Sequence, residues 1–429
     1  MGQAPSLPRQ LPPDEPWHLS SILGGPVVDQ SGERVGRLVD VIVRLGRGGY
    51  PPVTGFVVQM GGEDRFVHVG EISSVDHAET KLAVPGDRLG PFERRRGEML
   101  LSRDLAHHHV IDVTRGRLVR ANEIELTRTA GHWQVIGVDS SSGPVLRAML
   151  PRRLRKKVRP RTLVDWNDIE PFVGHVPTAG LRIPFRKLAR LHPAQLADLV
   201  EAASQEEGEE IIRTVGADRE LEADVFEELE PDVQVQFLHS RSNAEAARLL
   251  GVMEPDDAAD LLAEVDQERR LPILELLPEP AQSKIRGLLS YHPETAGGLM
   301  NPDFVAVEAT TTVADALETV RSSEVAPEAA GVVFVTDSDG CLSGTVLLVD
   351  LVRARPDAPV SVVAHPDPVS LPADADVHDV VRKMTDFNLA VVPVTATGGR
   401  ILGQITVDDV LELMLPSGWR RQHGMTAPD

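Results

Sequence analysis

The stretch "YHPETAGGLMNPDFVAVEATTTVADAL", residues 291–317, lies where the pattern of the chain changes. Before it, apolar residues recur at the i, i+3, i+4 and i+7 spacing of amphipathic helices. After Gly297, short apolar strands alternate with single helices. The stretch therefore marks the boundary between an all-helical region and a region of mixed strands and helices.

The residues after Gly297 run twice through the order strand, helix, strand, strand, helix. The first copy is predicted to contain strands at 304–307, 331–336 and 344–348, a helix at 313–321 and a helix starting at Asp350. The second is predicted to contain strands at 368–371, 390–394 and 401–405 and helices at 377–387 and 408–414. This regular repetition indicates two copies of one structural unit.

Residues 181–291 carry short helical segments, such as "HPAQLADLVEAA" and "AEAARLLGVMEPDDAADLLAEV", with Pro or Asp near their starts. A similar unit recurs at 192–199 and 254–262. Short helices that cannot bury an apolar face alone must stack on their neighbours, so this region is predicted to be an α-helical solenoid.

Residues 19–138 alternate short β-branched runs with Gly-containing turns, in two sets, which is typical of small antiparallel barrels or sandwiches. The segments "GGPVVDQSGERVGRLVDVIVRL" and "LLSRDLAHHHVIDVTRGRLVRANEIEL" resemble two copies of the PRC-barrel domain. That resemblance implies a docking module for another protein. The family also occurs in ribosome-maturation factors.

The stretch 291–317, with the helices before it and the repeats after it, resembles a junction in MgtE-type magnesium transporters. There a Tyr, an acidic residue, A-G-G and L-M recur in that order between an N-terminal helical domain and a tandem CBS pair. The resemblance covers residues 181–415 and implies a homodimer formed through the CBS domains. Such a transporter would continue into pore helices, whereas "LPSGWRRQHGMTAPD" follows Met414 here, so we expect the sensing part without a pore.

The predicted fold is therefore a multidomain α+β chain with N-terminal PRC-type β-barrels, a central helical solenoid and a C-terminal CBS pair. The predicted boundaries are a disordered tail at 1–16, PRC-like domains at 17–90 and 95–150, a basic linker at 151–180, the helical domain at 181–290, CBS domains at 291–356 and 357–416, and a tail at 417–429.

The charge of the chain is unevenly distributed. The formal net charge is −21, yet residues 1–180 hold 24 Lys and Arg against 21 Asp and Glu, so the acidity belongs to residues 181–429. Self-repulsion of this size opposes a compact state unless counter-charges are supplied. Bound cations or the more basic first part of the chain would supply them, while a solvated acidic surface is the plainer interpretation.

Several classes of protein are disfavoured. Cys341 is the only cysteine, which excludes an internal disulfide and fits a reducing cytoplasm. The apolar stretches are far shorter than the roughly 20 residues of a membrane span, and the Pro-rich start has no signal-peptide core. We find no P-loop, G-x-S-x-G elbow or H-E-x-x-H pair, so we expect a cytoplasmic regulatory protein and not an enzyme.

The MgtE resemblance implies that Mg²⁺ binds between acidic surfaces of the helical and CBS domains. Mg²⁺ prefers hard oxygen ligands and keeps several waters, so one or two carboxylates on each side suffice. The positions that match are Asp256, Asp257 and Asp260 in the helical domain, and Asp374, Asp376, Asp386, Asp408 and Asp409 in the second CBS copy. Asp256, Asp374 and Asp376 also occupy places where a carboxylate commonly caps a helix. The acidic turn of the family is replaced by "TATGG" at 395–399.

The CBS resemblance also implies a site for ATP or another adenine nucleotide, built from a Thr or Ser and an Asp three residues later. The second copy has Thr406 and Asp409, whereas the first has Leu347 before Asp350 and so lacks the hydroxyl. Thr406 is equally suited to capping a helix.

Other features have plainer interpretations. The three imidazoles of His107–His109 cannot share one face of a strand or helix, which favours a surface or dimer contact over a metal site. The basic run at 152–161 suits a solvated linker better than a nucleic-acid site. Two rival functions remain: a cytosolic subunit of a membrane magnesium transport system, and an RNA- or ribosome-associated factor.

Overall fold

The computed structural model describes residues 17–46, 49–75, 79–129, 132–141, 163–172, 188–327 and 329–414. The chain divides into two compact units, Met1–Ala217 and Asp218–Asp429. In the described part, no helix is both long and apolar enough to cross a membrane. The basic run at 152–161 and the predicted tails at 1–16 and 417–429 lie outside the described residues.

The first unit is built mainly of strands and begins with a short strand and a short helix. The elements are β1 (Trp17–His18), α1 (Leu19–Ile22), β2 (Pro26–Val28), β3 (Arg34–Arg44), β4 (Val53–Met60), β5 (Glu63–His68), β6 (Ile72–Val75), β7 (Thr80–Leu82), β8 (Glu98–Leu100), β9 (His109–Asp112), β10 (Arg117–Arg120), β11 (Glu123–Thr129), β12 (His132–Asp139), β13 (Leu163–Asp165) and β14 (Ile169–Pro171).

Three sheets contain these strands. The largest has the order β5-β4-β3-β2-β7-β6, with β8 pairing β3, and the smaller ones have the orders β1-β11-β12-β13 and β10-β9-β14. Strands β13 and β14 lie inside the segment expected to be a linker. They are only three residues long, so their sequence carries little alternation by which to recognise them.

The N-terminal β-barrels expected from the sequence are not found as closed barrels among the described residues. The largest sheet ends in β5 and β6, which pair with different strands, and β2 pairs with β7 in parallel. Two register shifts in β3 bend that strand, but a bend closes a barrel only when the outer strands meet. The PRC-barrel identity stays a prediction.

One hydrophobic core joins the two sets of strands. It contains Val41 and Phe56 from the first set together with Ile124 and Val135 from the second. Trp17 packs edge-on against Trp133, with 5.5 Å between the ring centres. The two sets therefore stabilise each other and do not form two separate cores.

Short helices follow. The first unit ends with α2 (Pro193–Ala202) and α3 (Gln205–Val215). The second unit begins with α4 (Arg219–Glu227), α5 (Pro231–His239), α6 (Asn243–Leu250), α7 (Pro255–Glu264), α8 (Gln267–Leu276) and α9 (Glu279–Leu288). Within the second unit, each helix from α4 to α7 packs on the second helix after it, as expected for stacked short helices.

The second unit continues with the two predicted repeats. Their elements are α10 (Ala296–Leu299), β15 (Ala306–Glu308), α11 (Val313–Ser322), β16 (Val332–Thr336), β17 (Leu342–Leu347), α12 (Leu348–Arg353), β18 (His365–Pro366), β19 (Leu371–Pro372), α13 (Val377–Phe387), β20 (Val391–Thr395), β21 (Ile401–Thr406) and α14 (Val407–Met414).

The two repeats have the same local topology. In each, a short first strand pairs in parallel with the central strand, and the third strand pairs antiparallel to it. Both central strands carry a bulge before their last residue, at Thr336 and Thr395. The bounds predicted for these strands and helices from the sequence lie close to the observed ones.

Candidate functional site: a carboxylate cluster between α7 and α14

The first turn of α7 concentrates negative charge. Glu254 precedes the helix, Pro255 starts it, and Asp256 and Asp257 follow in the first turn. Proline suits this position because its missing N–H would have no partner in the helix, and the acidic residues favour the positive end of the helix dipole. These local preferences explain why the helix begins here, but the helix dipole does not compensate all of the negative charge of the three carboxylates.

The carboxylate of Asp256 is not fully hydrogen-bonded within the described residues. Its Oδ1 atom is buried and accepts no hydrogen bond from any described residue. Burial raises the pKa of Asp256 well above its ordinary value, and the charges of Asp409 and Glu254 raise it further. A buried carboxylate oxygen without a donor is costly unless a cation or water approaches it.

Asp257 and Asp260 extend the cluster along α7. Burial raises the pKa of Asp257 well above its ordinary value, with further contributions from Asp256, Glu227, Glu254 and Glu412. Asp260 keeps an exposed surface, yet partial desolvation, together with the charges of Glu264 and Glu412, raises its pKa to about 6. The neighbouring charges that shift these groups all come from carboxylates.

Several glutamates of this cluster were not predicted from the sequence, among them Glu227, Glu254 and Glu412. Glu227, the last residue of α4, accepts a hydrogen bond from the Glu254 N–H to Oε1 at 2.8 Å. Burial raises the pKa of Glu227 to about 7, and Glu254 and Asp224 act in the same direction. In the sequence, the only indication of a role for Glu227 and Glu254 is that each lies at the end of a predicted helix in an acidic region.

A polar network fixes the start of α7 to the second repeat. Asn301 donates from Nδ2 to Glu254 Oε2 at 2.5 Å, and its backbone pairs with Gln404 of β21 in both directions. Gln404 also donates to the Asp303 carbonyl, and Lys284 lies 2.6 Å from Asp303 Oδ1. These bonds hold the carboxylates of α7 close to α14, which starts directly after β21.

At α14, Asp409 is the predicted residue that reaches the cluster. Its Oδ2 accepts a hydrogen bond from the Thr406 N–H at 2.8 Å, which is the capping interaction of a residue in the first turn. The Thr406 side chain is buried, and its hydroxyl has no partner among the described residues. Asp408 is exposed at the start of the same helix.

The remaining predicted carboxylates belong to the α13 region. Asp376 caps α13, and hydrogen bonds from the His378 backbone and side chain lower its pKa. Asp374 precedes this cap and Asp386 lies in the last turn of the helix, and both are exposed. The charges that shift the α7 carboxylates do not include these three residues.

The oxygen-rich donor set suits Mg²⁺ bound with part of its water shell. Within the described residues, no three His, Cys, Asp or Glu side chains converge to cage a metal ion directly. Mg²⁺ tolerates this because it usually keeps several waters and takes only one or two carboxylates. Asp256 Oδ1, buried and without a donor, is the atom to which such an ion or its water fits.

Comparison with known proteins identifies the domains to which these helices belong. The family model of the MgtE intracellular N domain matches residues 191–294, and the CBS domain model matches 296–357 and 360–416. The chain contains an MgtE intracellular N domain and a CBS pair. Together they are homologous to the cytosolic domain of MgtE.

Two curated magnesium transporters named MgtE illustrate the similarity. The chain is 31% identical to the Thermus thermophilus protein over 212 residues, which are 48% of this chain and 47% of that protein. It is 30% identical to the Enterococcus faecalis protein over 131 residues, covering 30% and 29% of the two chains. The chain therefore spans less than half of the length of either relative.

A solved structure described as the soluble part of a magnesium transporter superposes with a TM-score of 0.50. Its sequence is 26% identical, and the match covers 54% of this chain and 90% of that chain. The MgtE-like part of the chain corresponds to almost all of that structure.

Proposed function

We propose that the chain is a regulatory Mg²⁺ sensor in which the ion binds between α7 and α14. The observation that carries the proposal is the buried Asp256 Oδ1, which has no hydrogen-bond donor in the described part of the chain and lies close enough to Asp409 to be repelled by its charge. Repulsion between the two helices opposes their approach when no cation is bound. A hydrated divalent ion between them lowers that repulsion, so it favours the closed arrangement.

The nearby polar groups explain how the ion would act on the whole unit. Asn301 links Glu254 to β21, and Asp409 caps the helix that follows this strand. Movement of α7 away from α14 therefore strains bonds that organise the second CBS repeat. Binding of Mg²⁺ would therefore change the distance between α7 of the helical domain and the CBS pair.

The direct test is hydrogen exchange of the full chain across millimolar Mg²⁺ at constant ionic strength. We expect exchange in α7 and α14 to slow by about 10-fold, equivalent to about 1.4 kcal/mol of local stabilisation. NaCl adjusted to the same ionic strength serves as the control, because screening alone weakens repulsion. Equal protection by NaCl and by Mg²⁺ would remove the basis for an ion sensor.

A second ligand of the sensor would be ATP or another adenine nucleotide in the second repeat. The buried Thr406 hydroxyl has no partner among the described residues and is free to donate to a phosphate or ribose oxygen. In the first repeat the exposed Leu347 stands at the matching position, so we propose one nucleotide for each pair.

Replacing Thr406 with Val tests this site, because valine keeps the shape and removes the hydroxyl. We expect ATP affinity measured by calorimetry to fall by about 10-fold, the effect of one lost hydrogen bond to a charged group. The exposed Thr385, on α13, gives the control substitution Thr385→Val. Unchanged affinity in Thr406→Val would place the nucleotide elsewhere or exclude it.

The proposed partners are a second copy of the chain and a membrane transporter. Val352 of α12 and Leu411 of α14 are exposed apolar residues at matching positions of the two repeats, which supports a homodimer through the CBS pair. Docking to a transporter through the N-terminal part remains our proposal for the β-rich region. Light scattering on the samples of the Mg²⁺ titration distinguishes one chain from two.

A further inference from the structure

Asn301 places a buried amide beside the carboxylate cluster. It lies between α10 and β15 in the second unit, and only 6% of its surface is exposed. Its Nδ2 donates a hydrogen bond to Glu254 Oε2 at 2.5 Å. Hydrogen bonds to charged groups are stronger than those between neutral groups, so this contact can hold the Glu254 carboxylate in one position.

The orientation of the Asn301 amide is fixed by its own neighbours. Its Oδ1 accepts a hydrogen bond from the Asp303 N–H at 2.9 Å, so Nδ2 is the atom that faces Glu254. Pro302 follows directly, and a residue before proline favours the extended backbone with which Asn301 pairs with Gln404. The amide is therefore directed at Glu254 by bonds that lie outside the carboxylate cluster.

Two regular elements hold the segment that carries Asn301. Gly403 of β21 lets the two backbones approach, because a Cβ atom there would lie 2.5 Å from the Asn301 carbonyl oxygen. Lys284 of α9 forms an ion pair with Asp303 at 2.6 Å, and α9 packs on α7. A side chain that is fixed by a strand and a helix in this way is suited to fixing the position of a second side chain.

Glu254 acts on several members of the cluster. Its charge raises the pKa of Glu227, of Asp256 and of Asp257. The energy between two charges depends inversely on their distance, so a displaced Glu254 changes the attraction that a cation between α7 and α14 experiences. Asn301 can thus influence a bound ion through Glu254.

We propose that Asn301 is a positioning residue of the Mg²⁺ site, which acts by holding the charge of Glu254 towards the ion. The inference rests on the proposed function, because it concerns the site between α7 and α14. The amide orients the carboxylate without neutralising it, whereas a cationic side chain at this place would compete with Mg²⁺. Because Mg²⁺ keeps part of its water shell, Glu254 would accept hydrogen bonds from the waters of the ion.

The experiment is a double-mutant cycle on the full chain. Its readout is the Mg²⁺ concentration that gives half of the protection from hydrogen exchange in α7 and α14. We expect Asn301→Leu to raise this concentration by about 10-fold, the effect of one lost hydrogen bond to a charged group. Glu254→Gln should raise it at least as much. Because Asn301 acts through Glu254, adding Asn301→Leu to Glu254→Gln should cause no further rise.

Two further variants separate positioning from folding. Asn301→Ser keeps a short acceptor for the Asp303 N–H but does not reach Glu254, so it should repeat the effect of Asn301→Leu with less strain on the fold. Asn243→Leu is the control, because it breaks a comparable bond, from Arg269 Nε to Asn243 Oδ1 at 3.0 Å. It should lower the thermal stability without changing the half-saturating Mg²⁺ concentration.

The outcomes distinguish this inference from the sensor function. Effects that add in the double variant, to a rise of about 100-fold, overturn the positioning role. A rise of the same size in Asn243→Leu also overturns it, since loss of stability would then explain the change. A wild type without Mg²⁺-specific protection contradicts the sensor function and the role of Asn301 together. A normal wild-type response that Asn301→Leu and Asn301→Ser leave unchanged contradicts the role of Asn301 alone.

Discussion

Replacing Asp256 and Asp257 with Asn is expected to stabilise the metal-free chain and to remove its response to Mg²⁺. Both carboxylates are partly buried beside other carboxylates, and Asp256 Oδ1 has no donor among the described residues. Neutral amides of the same shape remove the repulsion and supply donors. We expect the free energy of unfolding without metal to rise by about 1–3 kcal/mol, the usual cost of unsatisfied buried polar groups.

The pH dependence gives an independent check of the same variant. Asp260 and Glu227 have folded pKa values of about 6 and about 7, above their ordinary values of 3.8 and 4.5. The folded state therefore binds more protons than the unfolded state between these limits, so the metal-free wild type loses stability as the pH rises from about 4 to about 7. The double variant should lose less, because it removes Asp256 and Asp257, two carboxyl groups whose own pKa values are raised in the folded state.

The matched control is Asp374→Asn/Asp386→Asn, which makes the same change of net charge on two exposed residues. Thermal and urea unfolding, each with and without Mg²⁺, measure the effect. If the control stabilises the chain as much as Asp256→Asn/Asp257→Asn does, the gain comes from the total charge and not from the cluster. A variant that still gains stability from Mg²⁺ as the wild type does would place the ion away from α7.

The repeats and the helices were predictable because their local patterns agree with their packing. Strand β20, for example, is buried along its whole length, and its apolar run is bounded by Asn388 and the turn at Gly398–Gly399. Helix α13 matches its predicted bounds because Asp376 caps its start and Asn388 ends it in the left-handed conformation. In these segments periodicity and end signals point to the same structure.

The carboxylate site was predictable only in part. The sequence indicated Asp256, Asp257, Asp260 and Asp409, since they match a family pattern, but Asp376 is engaged as a helix cap. Glu227 joins the site because α4 and α7 stack, and such a contact between separate helices leaves no mark in local spacing. The same reason hid Asn301, whose partner Glu254 is distant in sequence.

The β-rich region shows the limit of local patterns most clearly. Strand alternation indicated two barrels, whereas the structure has one shared core and a sheet that is open among the described residues. Within the second predicted domain, Leu101–Leu105 forms a π-helical turn directly after β8, which the strand pattern did not predict. The turn exists because buried Asp40 of β3 accepts hydrogen bonds from its Ser102 and Arg103 N–H groups.

Replacing Asp40 with Ala is therefore expected to destabilise the first unit by about 3 kcal/mol, because it leaves the Ser102 and Arg103 N–H groups without the buried carboxylate that accepts from them. Asp40→Asn should cost less, about 1 kcal/mol, since its remaining oxygen can still accept from Ser102. Burial raises the pKa of Asp40 to about 6, although hydrogen bonds from Ser102 and Val41 oppose this shift. An ionised Asp40 therefore lowers the stability of the folded state near neutral pH, and Asp40→Asn removes that cost.

Tryptophan fluorescence during urea unfolding measures this effect, because Trp17, Trp133 and Trp166 all lie in the first unit. Asp87→Ala, at an exposed aspartate of the same unit, is the control. Asp40 lies in the first predicted domain, whereas its partners Ser102 and Arg103 lie in the second. A single transition shifted as a whole by Asp40→Ala would show that the two sets of strands fold together, while two transitions of which one is unshifted would show that they fold independently.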